Sequence, residues 1–143
     1  MYQIKNFFDN DDVKIIDSKV KANGSGVGGI VGVAVNCIVK RCSADVVIEN
    51  GKKQVGGIVG YAKGAKKLLN VTNYGDVTVD LTQSEMQAMG GIIGYAASAK
   101  TDFDNVINFG NVTNIGNGTA DYCIGGVIGR VASNNPFTMD NVT

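Results

Sequence analysis

A chain of 143 residues with 44% hydrophobic and 18% charged residues has the composition of one folded domain and not of a disordered segment. Its thirteen basic and thirteen acidic residues balance overall, yet residues 1–72 carry a net +5 and residues 73–143 a net −5. The absence of histidine removes Ser-His-Asp, Cys-His and the common zinc-hydrolase sites, and no apolar run is long enough to span a membrane.

Residues 1–12 mix Tyr2, Ile4, Phe7 and Phe8 with polar side chains, a pattern that predicts a small cap over one end of the fold. They lack the regions of a secretory signal. Residues 9–12 read as an acidic turn without the glycine and distal glutamate of a calcium loop, so no metal is expected there.

Residues 13–143 are organised by one word, Gly-Gly followed by two β-branched residues and Gly, at 28–32, 56–60, 90–94 and 125–129. Its starts lie 28, 34 and 35 residues apart, the signature of a repeat architecture. Branched side chains favour a pleated, buried surface, and a recurring strand glycine marks close approach of another backbone. Ile30, Ile58, Ile92 and Val127 are therefore expected to stack as an inward ladder.

Within each repeat three strand-like segments are predicted. The first runs from the double glycine through Val33, Tyr61 or Tyr95. The second is built on Cys42, Val71, Val106 and Val142, and the third follows six residues later on Ile48, Val77 and Val112. Asn70 falls in register with Asn105, and Tyr74 with Phe109. Residues 16–20 should match 44–48. Residues 82–89 hold helix formers behind a threonine and predict a single helical turn in a loop. The pattern starts mid-unit at Val13 and breaks off at Thr143, which predicts a segment of a longer solenoid and end-to-end self-association steered by the +5 and −5 halves.

Side-chain chemistry along the chain is sparse. Lys52, Lys53, Lys63, Lys66 and Lys67 sit beside turn glycines without interleaved aromatics other than Tyr61, which excludes a nucleic-acid surface. Cys37, Cys42 and Cys123 are too few and too irregular for a disulfide framework or a zinc site, and read as small hydrophobes. Acids pair only as loop neighbours such as Asp102 and Asp104, and the only arginines, Arg41 and Arg130, occupy different segments of their repeats. No catalytic, metal or cofactor residues are assigned. Asn-x-Ser/Thr triplets at Asn23, Asn70, Asn111, Asn117 and Asn141 follow from the repeat consensus.

The word and the stretch after it, Asn-Val-x-Asn-aromatic-Gly-Asn/Asp-Val, resemble the GLUG repeat. Residues 56–61 with 70–77 and residues 90–95 with 105–112 are close matches. The first repeat departs, with Arg41-Cys42 for Asn-Cys and no turn glycine, and the fourth has Arg130 for the tyrosine. The resemblance implies a β-helix-like module of large extracellular or surface-attached microbial proteins, among them adhesin-like proteins and immunoglobulin A-cleaving metallopeptidases, outside their catalytic domains. It carries no catalytic residues.

The expected fold is thus all-β, a short right-handed parallel β-helix-like solenoid of about three to four turns, with a cap at 1–12 and repeats at 13–143. The expected role is a non-enzymatic structural, spacer or adhesion module whose partners are other domains of a longer parent protein, a glycan or a host surface. The alternative is a carbohydrate-binding face made by Tyr61, Tyr95, Tyr74 and Phe109, for which the bland reading is packing between repeats. A fragment of a polysaccharide-processing enzyme ranks third.

Overall fold

The computed structural model of the chain describes residues 13–21, 24–51, 53–79, 87–97, 101–116, 122–132 and 137–143. The expected cap at 1–12, Lys52, and the residues 82–86 that open the expected helical turn lie outside them. The described residues are all-β, without a helix.

Fifteen strands follow in chain order among the described residues. The first four are β1 (Val13–Lys21), β2 (Val27–Gly28), β3 (Val31–Val35) and β4 (Ile38–Gly51). Next come β5 (Gln54–Gly56), β6 (Val59–Lys63), β7 (Lys67–Asn73) and β8 (Val77–Val79). The third set is β9 (Gln87–Gly90), β10 (Ile93–Ala97), β11 (Thr101–Asn108) and β12 (Val112–Asn114). The last strands are β13 (Tyr122–Gly125), β14 (Ile128–Val131) and β15 (Phe137–Val142).

These strands form three sheets in which every pairing is parallel. One four-stranded sheet runs β2-β5-β9-β13 and another β3-β6-β10-β14. The seven-stranded sheet takes β4, β7, β11 and β15, with β8 beside the second half of β4 and β12 beside β8, and β1 also pairs with β4. Consecutive strands enter different sheets except β7–β8 and β11–β12, which share a sheet without pairing, so each strand pairs with the equivalent strand of a neighbouring copy and not with its chain neighbour. A parallel pair needs a long crossover. Here the other sheets supply it.

The registers match the sequence alignment closely. Cys42 pairs with Val71, Val71 with Val106 and Val106 with Val142, while Ile48 pairs with Val77 and Val77 with Val112. Around the glycine word, Ile30 N donates to Ile58 O, Ile58 N to Ile92 O and Ile92 N to Val127 O, at 2.9–3.2 Å. Ile58 and Ile92 are fully buried, and Ile30 and Val127 are partly buried against the same core. This is the expected ladder. Burying each such side chain contributes roughly 1.5–3 kcal/mol.

Three details differ from the expectations. The glycine word is not one strand: its first glycine closes β5 or β9, the next two residues bend, and β6 or β10 begins at the fourth residue. The second and third copies therefore each contribute four strands, not three, whereas in the first copy two of the predicted segments run together as β4. Gln87 to Met89, expected at the end of a helical turn, lie in β9, because Ala88 and Met89 pair with Gln54 and Val55 and bury there. Tertiary pairing overrides helix propensity at this point. Finally, residues 18–20 pair with 46–48 as aligned, but Ile15 rather than Ile16 faces Ala44 across an irregularity in β1, leaving Ile16 70% exposed.

The glycines are explained by contact. A Cβ on Gly57 would overlap the Gly91 carbonyl oxygen and lie 2.5 Å from Asn73 Cγ. A Cβ on Gly94 would overlap the backbone nitrogen of Val55. Both obstacles include backbone, which cannot step aside.

Candidate functional site

The four aromatic residues singled out in the sequence form two stacks. Tyr61 in β6 pairs with Tyr95 in β10, ring centroids 5.4 Å apart and planes 17° from parallel. The column continues to Arg130, whose guanidinium carbon lies 5.1 Å from the Tyr95 ring centre, and begins at exposed Val33. Tyr74 and Phe109 follow β7 and β11, with centroids 5.3 Å apart and planes at 13°. They are 54% and 65% exposed. The two stacks belong to different sheets. Offset rings at these separations add about 0.5–1.5 kcal/mol each to cohesion between copies.

Two asparagine columns run beside the second stack. Asn70 and Asn105 occupy the left-handed backbone region at φ 54° and 52°, and Asn105 Nδ2 donates to Asn70 Oδ1 at 2.9 Å. Asparagine is among the few non-glycine residues that tolerate this corner. Arg41 and Asn141 hold the equivalent corner at φ 49°.

The second column, Asn73 and Asn108, was not anticipated as a unit. Asn73 is fully buried; its Nδ2 donates to Gly75 O at 2.7 Å and to Asn108 Oδ1 at 2.8 Å. Asn108 Nδ2 repeats the local bond to Gly110 O at 2.8 Å. Asn73 Oδ1 has no hydrogen-bond partner, and Ala44 holds the neighbouring register position where another asparagine would donate to it. In the first copy Ala44 and Val46 stand for Asn73 and Gly75, and Val46 Cβ sits against Gly29 much as the Asn73 carboxamide sits against Gly57. The sequence signal was present in the Asn-x-Gly spacing and its tie to the second glycine of the word.

Polar links join neighbouring copies on the outer surface. Lys67 Nζ reaches Asp104 Oδ2 at 3.2 Å, Thr138 Oγ1 donates to Asp102 Oδ1 at 2.7 Å, and Lys19 meets Glu49 at 2.7 Å. Asp102 and Asp104, neighbours in sequence, thus serve strand partners. Among the described residues no three His, Cys, Asp or Glu side chains come together as a metal site.

The cysteines are free thiols. Burial pushes the Cys42 thiol up to about 11 and raises Cys37 as well, so both are protonated near neutrality and unsuited to act as nucleophiles. An open groove of about 300 Å³ on the seven-stranded sheet is lined by Lys14, Arg41, Cys42, Ser43, Asn70, Thr72 and Tyr74. Among the described residues no helix is long and apolar enough to cross a membrane. No family profile, curated protein or solved structure matches the chain.

Proposed function

We propose that the chain is a right-handed parallel β-helix-like solenoid of GLUG-type repeats that serves as a non-catalytic structural or adhesive module of a larger microbial surface or secreted protein. The observation that carries this reading is the pairing of the four glycine words with one another, backbone to backbone, through the two four-stranded parallel sheets, while the strands between the words pair copy to copy in the seven-stranded sheet. Nearly every residue that recurs in the sequence is used in that cohesion: the branched ladder, the glycines, the asparagine columns and the aromatic stacks. A module built this way presents a long surface at fixed spacing, which suits a spacer or an adhesive stalk.

The second reading, glycan binding at the aromatic stacks, draws on the solvent access of both columns, Tyr74 and Phe109 being exposed and Tyr61 and Tyr95 partly so. A Tyr61→Ala/Tyr95→Ala double variant separates the two. If the tyrosines act in cohesion, the variant loses about 1–2 kcal/mol in urea unfolding and keeps the wild-type glycan-array profile. An array profile that vanishes in the variant while the fold persists replaces the scaffold role with glycan binding at this column. Release of product from any polysaccharide incubated with the chain refutes the non-catalytic reading.

A further inference from the structure

Of the four equivalent left-handed corners in the column of Asn70, three carry asparagine and the fourth carries Arg41 at φ 49°. A long side chain is disfavoured in that region, and arginine has no acceptor with which to continue the amide-to-amide ladder that Asn105 makes to Asn70. Backbone strain of this kind persists where surrounding structure enforces it, and it concentrates where side chains are aimed at a task. At Arg41 it coincides with a concavity.

The groove of about 300 Å³ is lined by Arg41 and Lys14, by the hydroxyls of Ser43 and Thr72, by the Asn70 amide and by Tyr74. The strand registers explain the grouping. Lys14 pairs with Ser43 and Ser43 with Thr72, so these form one outward row across β1, β4 and β7, and Arg41 and Asn70 occupy the adjacent corner. The groove thus has two cations, two hydroxyls, one amide and one exposed ring. Among the described residues, none of those that line it is a carboxylate. Asp45 stands beyond it, exposed, in the column of Tyr74. The surrounding half of the sequence carries the net +5.

From this juxtaposition we infer that the groove binds a carboxylated saccharide. The arginine fork matches a carboxylate with paired hydrogen bonds, and Lys14 adds a second positive charge. Ser43, Thr72 and Asn70 supply the donors and acceptors that sugar hydroxyls need, and the half-exposed Tyr74 ring offers an apolar face to a sugar ring. The volume lies at the lower end of the range of small-ligand sites, about 300–1,000 Å³, which suits a sugar unit and not a folded partner. A nucleic-acid strand is disfavoured because it calls for successive stacking rings along a basic track, and the groove has one.

The inference extends the non-catalytic reading to a ligand and uses a surface separate from the Tyr61–Tyr95 column. Its test is a ¹⁵N amide titration of the full chain with trigalacturonate, with cellotriose, inorganic phosphate and a short single-stranded oligonucleotide as comparisons. Trigalacturonate is expected to shift the amides of Arg41, Ser43, Asn70, Thr72 and Tyr74, with affinity that falls as salt rises. Arg41→Asn installs the residue the other corners carry, so the fold is retained and affinity drops roughly tenfold or more. Lys14→Gln, an exposed change, gives a smaller loss and carries the test if the first variant fails to fold. Equal binding of cellotriose, phosphate or the oligonucleotide overturns the proposal, as do unchanged affinity in both variants or shifts centred on Tyr61 and Tyr95. Absence of any shift refutes the groove and leaves the scaffold role standing; cleavage of bound trigalacturonate refutes the non-catalytic role and leaves the groove standing.

Discussion

Replacing Asn73 by alanine isolates what the buried amide column contributes. The substitution removes two donated hydrogen bonds, to Gly75 O and to Asn108 Oδ1, each with a net value of about 1 kcal/mol. Gly75 is itself buried, so its orphaned carbonyl adds about 1–3 kcal/mol. Asn108 is only partly buried and water can reach it. Deleting the carboxamide also opens a void against Gly57, worth about 1 kcal/mol. In the other direction, the unpartnered Oδ1 of Asn73 disappears, which returns about 1–3 kcal/mol. The balance is a loss of about 3 kcal/mol in urea unfolding followed by far-ultraviolet circular dichroism. Asn70→Gly is the control. It deletes an exposed bond of the same type at a backbone angle glycine adopts freely, and stability should change by less than about 0.5 kcal/mol. A loss below about 1 kcal/mol for Asn73→Ala, or equal losses for the two variants, refutes the idea that the inner column holds copies together.

Gly91→Ala should prevent folding, because its Cβ would meet the Gly126 carbonyl and the Asn108 amide, whereas Gly126→Ala, with open space around it, should melt within a few degrees of wild type. Equal melting temperatures would remove the close-approach account of the glycine word. Ile58→Asp places an unpaired charge in a fully buried ladder and should leave no cooperative unfolding transition; a folded variant with native-like dichroism would contradict the ladder. The raised Cys42 thiol gives a pH signature. Its folded value of about 11 lies above the ordinary 9.0, so its contribution is fully present below pH 9 and is lost as pH rises toward 11. Urea midpoints should fall across that window in wild type and fall less in Cys42→Val; parallel curves would show that the thiol is not buried.

The parts of the architecture that depend on periodicity were legible, since a recurring apolar word fixes which residues face one another. The pairings of Cys42 with Val71 and Val71 with Val106 could be written down from spacing alone. What spacing does not encode is where a strand breaks. The bend inside the glycine word arises because backbones of adjacent copies approach there, and nothing local distinguishes a bending glycine from one in a straight strand. Gln87 to Met89 resisted reading for a related reason: their helix propensity is real, but a parallel partner in β5 outweighs it. The groove was hidden because Lys14, Arg41 and Thr72 lie far apart in sequence and meet only through the 29-residue registers. The sign that could have revealed it was Arg41 in a position where the other copies carry asparagine.

The central claim is that equivalent residues of successive glycine-word copies lie side by side in parallel sheets. A nuclear Overhauser map of the ¹³C,¹⁵N-labelled chain tests it directly. The account predicts contacts from Val71 to both Cys42 and Val106, and from Val77 to both Ile48 and Val112. Contacts that instead join Val71 to Val77 as partners in an antiparallel hairpin would contradict it.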